Sequence, residues 1–281
     1  MSSLQQRFIT AVVLAGLFVT AVIWLPTLGL ALVFGAVALL AGWEWAALAG
    51  WTHSIARSIY CLCLAGLLVG LWWVCDLAGD PKVTQVQPVM GLACLFWSVA
   101  LLQVRQYPRS TWAWRSSIVR SVVGWLMLAA TWLAIMYAFS LQNGPVLVIL
   151  LVLTVAAADV GAYFTGRRWG RHKLAPSVSP GKTWEGLWGG IAAVLLLVMV
   201  VSLGLPNSYA HVTPVSIGIL ALIMAVASVL GDLTVSMVKR HVGVKDSGAL
   251  LPGHGGLLDR LDSICGAAPV FGLGLLLMGF R

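Results

Sequence analysis

The residues whose types and spacing could do chemistry cluster in the last third of the chain. Asp232, Ser236 and Lys239 lie at positions i, i+4 and i+7, which places them on one face of a helix. Asp259 and Asp262 are three residues apart and share a face if their segment is also helical. Carboxylates that converge near basic side chains suit a hard, oxygen-preferring cation such as Mg²⁺. The pattern therefore predicts a magnesium site that handles phosphate groups.

The segment between these acids, Lys239 to Ser263, reads KRHVGVKDSGALLPGHGGLLDRLDS. Its basic residues suit phosphate groups, and these are Lys239, Arg240 and Lys245. Its glycines let the backbone approach a ligand closely and present N–H groups to an anion. Two simpler interpretations stay open: the charges could form a solvated surface, and Asp259 and Asp262 could merely pair with Arg260 and other basic residues.

A second charged stretch runs from Asp159 to Gly186 and contains the sequence PGKT at positions 180–183. A P-loop would need glycine at position 176 and a preceding strand, but that position is Pro176. We therefore expect no P-loop, although Lys182 remains a reasonable phosphate contact. His254 belongs to no zinc-binding spacing and is a candidate ligand contact or acid/base.

The elements that must position these residues are predicted to be membrane helices. The 281 residues are 60% hydrophobic and only 9% charged, with a mean hydropathy of +0.96. A soluble domain carries about 25% charged residues, so a water-solvated globule is excluded. The apolar blocks approach the ~20 residues that cross a bilayer as a helix and lack the alternation of barrel strands. The fold class is therefore all-α, a polytopic transmembrane helical bundle.

About nine spans are predicted, with the N-terminus inside. Their ranges are 8–24, 27–48, 57–75, 86–103, 119–139, 144–165, 185–204, 214–236 and 264–280. This topology puts 15 of the 17 basic residues at or near the cytoplasmic side, where Lys and Arg concentrate. Residues 1–140 are predicted to form an N-terminal scaffold. Residues 141–281 form the catalytic region, with cytoplasmic loops 166–184 and 237–263.

Two acids, Asp159 and Asp232, fall within apolar spans. A carboxylate in a bilayer costs roughly 3 kcal/mol even on insertion scales, so such residues usually face a cavity, a partner or a cation. The alternative is that each lies near the cytoplasmic end and reaches water. The net charge of +8 indicates cytoplasmic loops and anionic lipid or phosphate ligands, and no nucleic acid is expected as a partner.

Residues 236–262, SMVKRHVGVKDSGALLPGHGGLLDRLD, closely resemble the signature of the phosphatidate cytidylyltransferases, also called CDP-diacylglycerol synthases, of the bacterial type. The motifs S-x-x-K-R, K-D-x-G, P-G-H-G-G and D-R-x-D occur in that order. Three upstream elements are also similar to the family: D-x-G-A-Y-x-x-G-R, S-P-G-K-T-x-E-G and the cluster Trp43-Glu44-Trp45. The resemblance covers essentially the whole chain.

This resemblance implies transfer of a cytidylyl group from CTP to phosphatidic acid, giving CDP-diacylglycerol and pyrophosphate. The catalytic residues it implies are Asp232, Asp259, Lys239 and Asp262. Mg²⁺, with room for a second cation, would be bound by Asp232 and Asp259, with Asp159 and Asp262 in support. The substrate-binding residues would be Lys182, Ser179, Arg167, Ser236, Arg240, Lys245, Asp246, His254 and Arg260. The enzyme would lie in the bacterial cytoplasmic (inner) membrane with its active site at the cytoplasmic face, and the family suggests a homodimer.

Three other classes of membrane protein predict different sequence features. A transporter also uses intramembrane acids, but it predicts repeated halves or acids at matched positions, which the sequence does not show. A CDP-alcohol phosphotransferase would carry a DGxxAR element between aspartates, and this chain has none. A purely structural membrane protein would not need the charged, glycine-rich segment.

Overall fold

The structure of the protein is a computed structural model that describes residues 3–109, 111–203, 213–250 and 255–280; the side chains of residues 3–8, 112 and 113 lie outside this description. Within these ranges the chain forms ten α-helices and two β-strands. In order they are α1 Ser3–Trp24, α2 Thr27–Leu48, α3 Ser54–Val74, α4 Val83–Gln106, α5 Trp112–Arg115, α6 Ser117–Ser140, α7 Gly144–Trp169, β1 Lys173–Ala175, β2 Ser179–Thr183, α8 Trp184–Leu203, α9 Pro214–His241 and α10 Leu258–Leu277.

The helices have the lengths and composition that a membrane requires. In the described part of the chain, eight helices are long and apolar enough to cross a bilayer: α2, α3, α4, α6, α7, α8, α9 and α10. Residues Ile9–Trp24 of α1 form a shorter apolar helix. The prediction of an all-α, polytopic bundle is confirmed, and the protein is a multi-pass membrane protein.

The end of α9 and the start of α10, which flank the charged segment, differ from the predicted ones. Helix α9 continues to His241 rather than residue 236, and α10 begins at Leu258 rather than residue 264. The connection predicted at 237–263 is thus reduced to 242–257, because Lys239 lies buried on α9 and pairs with Asp259 inside α10. Charged residues extend a helix when a partner inside the protein compensates their burial.

The other predicted loop, 166–184, is also more ordered than expected. Helix α7 continues to Trp169, and the two strands then form an antiparallel hairpin in which Lys173 pairs with Thr183 and Ala175 with Ser179. We predicted no strands here. The hairpin is too short to show the alternation of apolar and polar residues that marks a strand in sequence.

Helix α6 is the centre of the bundle and is buried over most of its length. It packs against α2, α3, α4, α7 and α10. Its Leu133, Met136 and Tyr137 are among the most buried side chains of the core. Helix α6 therefore joins the helices of the first half of the chain to α7 and α10.

Helices α9 and α10 approach closely because each has a glycine where they meet. A Cβ atom on Gly231 would overlap the Asp262 carbonyl oxygen, and a Cβ on Gly266 would overlap that of Ala227. Small residues of this kind let membrane helices pack backbone to backbone. The contact places Asp232, next in sequence to Gly231, beside the helix that carries Asp262.

Hydrogen bonds join several connections at one end of the bundle. At the start of α6, Arg120 Nη2 donates to the carbonyl oxygen of Ala49, just after α2, at 3.0 Å. At the end of α9, Arg240 Nε donates to the carbonyl oxygen of Val178, in the hairpin, at 3.4 Å. The loops that carry the predicted site residues therefore belong to one end of the molecule.

Candidate functional site

A cavity of about 510 Å³ opens between α7, the hairpin, α8 and α9. Four of the predicted site residues line it: Asp159 and Arg167 from α7, Lys182 from β2 and Asp232 from α9. Apolar side chains complete the wall, among them Tyr163, Leu187 and Val229. The stretch from Asp159 to Gly186 and the distant Asp232 therefore contribute charge to one cavity.

Lys182 and Asp232 form an ion pair in this cavity. The Lys182 Nζ lies 2.7 Å from Asp232 Oδ2, with 23% and 29% of the two side chains exposed. The other oxygen, Asp232 Oδ1, accepts a hydrogen bond from Ser236 Oγ at 3.0 Å. This bond confirms the predicted i, i+4 relationship. Because the pair remains accessible, a ligand that enters the cavity can compete for either charge.

Lys239 and Asp259 form a second ion pair that is more enclosed. The Lys239 Nζ lies 2.6 Å from Asp259 Oδ1, and 10% of each side chain is exposed. Asp259 Oδ2 accepts hydrogen bonds from the backbone N–H groups of Ser247 at 3.0 Å and Gly256 at 3.2 Å. Neither partner of this pair is among the residues that line the cavity.

Asp262 is close enough to both ion pairs to interact with them electrostatically. It is 6% exposed, and its carboxylate interacts electrostatically with Asp232, Lys182 and Lys239. Asp159 interacts in the same way with Lys182 and Asp232. We call these six residues the charged network, defined as Asp159, Lys182, Asp232, Lys239, Asp259 and Asp262.

The donor chemistry of the charged network suits Mg²⁺. Mg²⁺ prefers oxygen ligands, keeps several waters, and is usually held by one or two carboxylates together with substrate phosphates. Asp159 and Asp232, which share the cavity, fit that requirement. Among the described residues, no group of three or more His, Cys, Asp or Glu side chains is arranged to hold a metal ion. The metal-binding role of the four aspartates stays a prediction.

Glu44 is a buried acid whose part in this region the sequence did not indicate. It is 4% exposed near the end of α2, and its carboxylate accepts three hydrogen bonds from the connection before α10. The donors are Ser247 Oγ at 2.8 Å, Leu257 N at 3.0 Å and Leu258 N at 2.9 Å. The signal that could have found it is the one applied to Asp159 and Asp232, an acid inside an apolar span.

Two glycines of the motif surround Glu44. A Cβ atom on Gly248 would lie 2.5 Å from Glu44 Oε1, and one on Gly256 would lie 2.5 Å from Glu44 Oε2. We predicted that glycines here let the backbone approach a bound anion. The structure shows that the anion next to Gly248 and Gly256 is a carboxylate of the protein itself.

The hairpin that carries Lys182 is fixed by a second acid that we did not single out. Glu185, in the first turn of α8, accepts hydrogen bonds from the backbone N–H groups of Arg171 at 3.1 Å and His172 at 3.2 Å. Its Oε1 also lies 2.7 Å from His172 Nδ1. These bonds tie the start of the hairpin to the helix that follows Lys182.

The remaining predicted substrate-binding residues lie around this region. Ser179 is half-buried at the start of β2, and Arg240, Lys245, Asp246 and Arg260 are exposed. His254 lies outside the described residues. The enclosed Lys239–Asp259 pair excludes the interpretation that all the charges form a solvated surface. The substrate-binding roles stay predictions.

Comparison with known proteins relates nearly the whole chain to one family. Residues 5–278 match the model of the cytidylyltransferase family. A phosphatidate cytidylyltransferase of Pseudomonas aeruginosa is 41% identical over 270 residues, which is 95% of each chain. One of Haemophilus influenzae is 37% identical over 95% of this chain and 97% of the relative, and one of Brucella suis is 34% identical over 95% and 92%.

Proposed function

The chain belongs to the cytidylyltransferase family, and from this membership we propose that it transfers the cytidylyl group of CTP to phosphatidic acid. The products are CDP-diacylglycerol and pyrophosphate. The observation that carries the proposal is the Lys182–Asp232 pair in a charged cavity at one end of an apolar bundle. Its support is the similarity, over nearly the whole chain, to relatives named phosphatidate cytidylyltransferase.

The shape of the cavity suits one water-soluble and one lipid substrate. The hairpin with Lys182 and Gly181 forms the polar side, where a nucleoside triphosphate can enter from water. Leu187 and Val229, which belong to the membrane helices α8 and α9, form the apolar side. We assign the polar side to CTP and the apolar side to the diacylglycerol part of phosphatidic acid.

In the reaction, a phosphate oxygen of phosphatidic acid attacks the α-phosphorus of CTP. The new bond joins this oxygen to the α-phosphorus, and the bond from the α-phosphorus to the β-phosphate bridge breaks. Pyrophosphate leaves with the electron pair. The attacking phosphate is already ionised at neutral pH, so no strong general base is required. Catalysis then depends on bringing two anionic reactants together and stabilising the charge of the transition state.

The residues of the charged network have distinct parts in this proposal. Lys182 is accessible in the cavity and neutralises a phosphate of CTP or of the lipid. The family resemblance implies Asp232 and Asp259 as the ligands of Mg²⁺, with Asp159 and Asp262 in support and room for a second cation. Because Asp159 shares the cavity with Asp232 and Asp259 does not line it, we assign Asp159 beside Asp232 and leave Asp259 and Asp262 in support. When bound, the cation neutralises phosphate charge and orients the triphosphate. Lys239 pairs with Asp259 and fixes the position of its carboxylate.

The bacterial relatives and the apolar outer surface of the bundle also support a location for the enzyme. We place the enzyme in the bacterial cytoplasmic (inner) membrane, because the relatives are bacterial and the bundle is apolar on its outer surface. The site would face the cytoplasm, where the basic connections belong and where CTP is available. Homodimerisation stays a prediction that the family suggests.

Purified protein incubated with labelled CTP and a panel of phosphorylated lipids tests the function. We expect a CDP-lipid from phosphatidic acid and none from a lipid without a terminal phosphate monoester. Formation of pyrophosphate in equal amount would confirm cytidylyl transfer. If no CDP-lipid forms under any divalent cation, the proposed function is wrong.

A further inference from the structure

The carboxylate of Glu44 joins the scaffold to the connection that precedes α10. Its three hydrogen-bond donors, Ser247, Leu257 and Leu258, are more than 200 residues away in sequence. Burial makes these bonds consequential, because a carboxylate removed from water needs hydrogen-bond partners and an unpaired buried amide costs free energy. Glu44 and the connection therefore depend on each other.

Glu44 occupies the N-terminal end of α10. The first N–H groups of a helix have no partner within the helix and attract anions. Leu257 is the residue before α10 and Leu258 its first residue, and both donate to Glu44. The position at which many phosphate-binding proteins hold their ligand is here filled by an internal acid.

The same connection holds Asp259. Ser247 donates its hydroxyl to Glu44 Oε2 and its backbone N–H to Asp259 Oδ2. Gly256 donates its N–H to Asp259 Oδ2 and lies against Glu44. Two carboxylates thus hold the same two short segments, around Ser247 and around Gly256. Any movement that breaks the bonds to Glu44 also moves the donors of Asp259.

We propose that Glu44 is a positioning residue for cytidylyl transfer, which fixes residues 247–248 and 256–258 so that Asp259 stays in place and paired with Lys239. All the described hydrogen bonds of the Glu44 carboxylate go to Ser247, Leu257 and Leu258, so Glu44 acts through the segments that hold Asp259 and not on the substrates. The inference rests on the proposed function, because positioning is defined relative to that reaction. A role in fold stability alone would make the same bonds but would leave the turnover of the folded enzyme unchanged.

The variants Glu44→Gln and Glu44→Ala test this role in the full-length protein. Glutamine keeps the size and one acceptor oxygen but turns an NH₂ group toward one of the two backbone donors. Alanine removes all the acceptors. Misplacement of catalytic groups by ~1 Å can cost ~10²-fold in rate, so we expect kcat to fall about tenfold in Glu44→Gln and more in Glu44→Ala. The KM for CTP should change less than about twofold, because Lys182 and Arg167, which line the cavity, lie outside the connection that Glu44 fixes.

Hydrogen exchange by mass spectrometry supplies the second readout. Peptides that cover residues 244–258 should exchange faster in Glu44→Gln, while peptides from α6 keep the wild-type rate. If Glu44→Ala does not fold, Ser247→Ala gives a graded test, since it removes one of the three bonds. Asp76→Asn is the matched control. Asp76 follows the C-terminal end of α3, pairs with Lys82 and has no contact with the connection before α10 among the described bonds. It should keep wild-type kcat and exchange.

The outcomes separate the two proposals. A fall in kcat at constant KM, together with faster exchange around Ser247, supports the positioning role. Wild-type kcat in Glu44→Gln overturns it, as does a loss of activity without a change in exchange or with a proportional rise in KM. If the wild-type protein makes no CDP-diacylglycerol, the failure belongs to the proposed function.

Discussion

The Lys239 ammonium and the Asp259 carboxylate lie 2.6 Å apart at the junction of α9 and α10, with a tenth of each side chain exposed. Lys182 and Asp232 form a similar pair at 2.7 Å, but both are more exposed and line the cavity. Asp262 interacts electrostatically with both lysines. The Lys239–Asp259 pair is therefore enclosed, whereas the Lys182–Asp232 pair is available to a ligand. Substitution of the two lysines should have different effects on stability.

Removing Lys239 should destabilise the fold more than removing Lys182. Lys239→Ala leaves a buried carboxylate without its partner, and we expect the free energy of unfolding to fall by about 3 kcal/mol. Lys182→Ala exposes Asp232 to the cavity, where water can solvate it, and should cost about 1 kcal/mol. Reversible unfolding in detergent micelles measures both. Equal losses would contradict the difference in burial.

The double variant Lys239→Leu with Asp259→Leu separates stability from activity. Replacing a buried ion pair by apolar side chains of similar volume is often neutral or stabilising. We expect the double variant to be more stable than either single leucine variant, and less stable than wild type by about 1–3 kcal/mol, because the N–H groups of Ser247 and Gly256 lose their acceptor. CDP-diacylglycerol formation should nevertheless be lost, as measured by release of labelled product. An active double variant would remove Asp259 from the catalytic residues.

The variants Asp232→Asn and Asp259→Asn test the metal assignment. We expect each to abolish Mg²⁺-dependent formation of CDP-diacylglycerol, because the neutral amide binds a hard cation poorly. The amount of protein in the membrane fraction shows that insertion is retained. Full activity in both variants would overturn the assignment.

Removal of the divalent cation gives an independent test. Treatment of the wild-type enzyme with a chelator should stop product formation, and added Mg²⁺ should restore it. Calorimetric titration of Mg²⁺ should show weaker binding to Asp159→Asn than to Asp76→Asn, which lies outside the charged network. Equal binding to both variants would exclude Asp159 from the site.

The glycine next to Glu44 should not tolerate a side chain. A Cβ on Gly256 would overlap Ser247 Oγ and lie 2.8 Å from the backbone nitrogen of Gly248. Overpacking of this kind costs about 1–3 kcal/mol, and Gly256→Ala should also lower kcat. Gly218→Ala is the control, since Gly218 lies within α9 with open space around it and alanine favours a helix. Thermal unfolding and product formation would distinguish the two. Wild-type behaviour of Gly256→Ala would contradict the close contact.

Local features of the site could be predicted from sequence because they depend on one helix at a time. The fixed period of an α-helix puts Asp232 and Ser236 on one face, and their hydrogen bond confirms it. Asp259 and Asp262 lie within one helix, which meets the condition for sharing a face, although the predicted loop 237–263 had included both. The ends of α9 and α10 could not be placed correctly, because whether a charged residue continues a helix depends on a partner elsewhere in the chain.

The sequence by itself determined that this protein is a bundle of membrane helices with basic and acidic residues clustered near its C-terminus, since hydropathy, spacing and motifs are local properties. Only the tertiary structure decided which charges meet: Lys182 with Asp232, Lys239 with Asp259, and Glu44 with the start of α10. The physical reason is that such pairs join segments of very different sequence position. Helix packing sets their distances, and nothing in the spacing of residues along the chain encodes that packing directly.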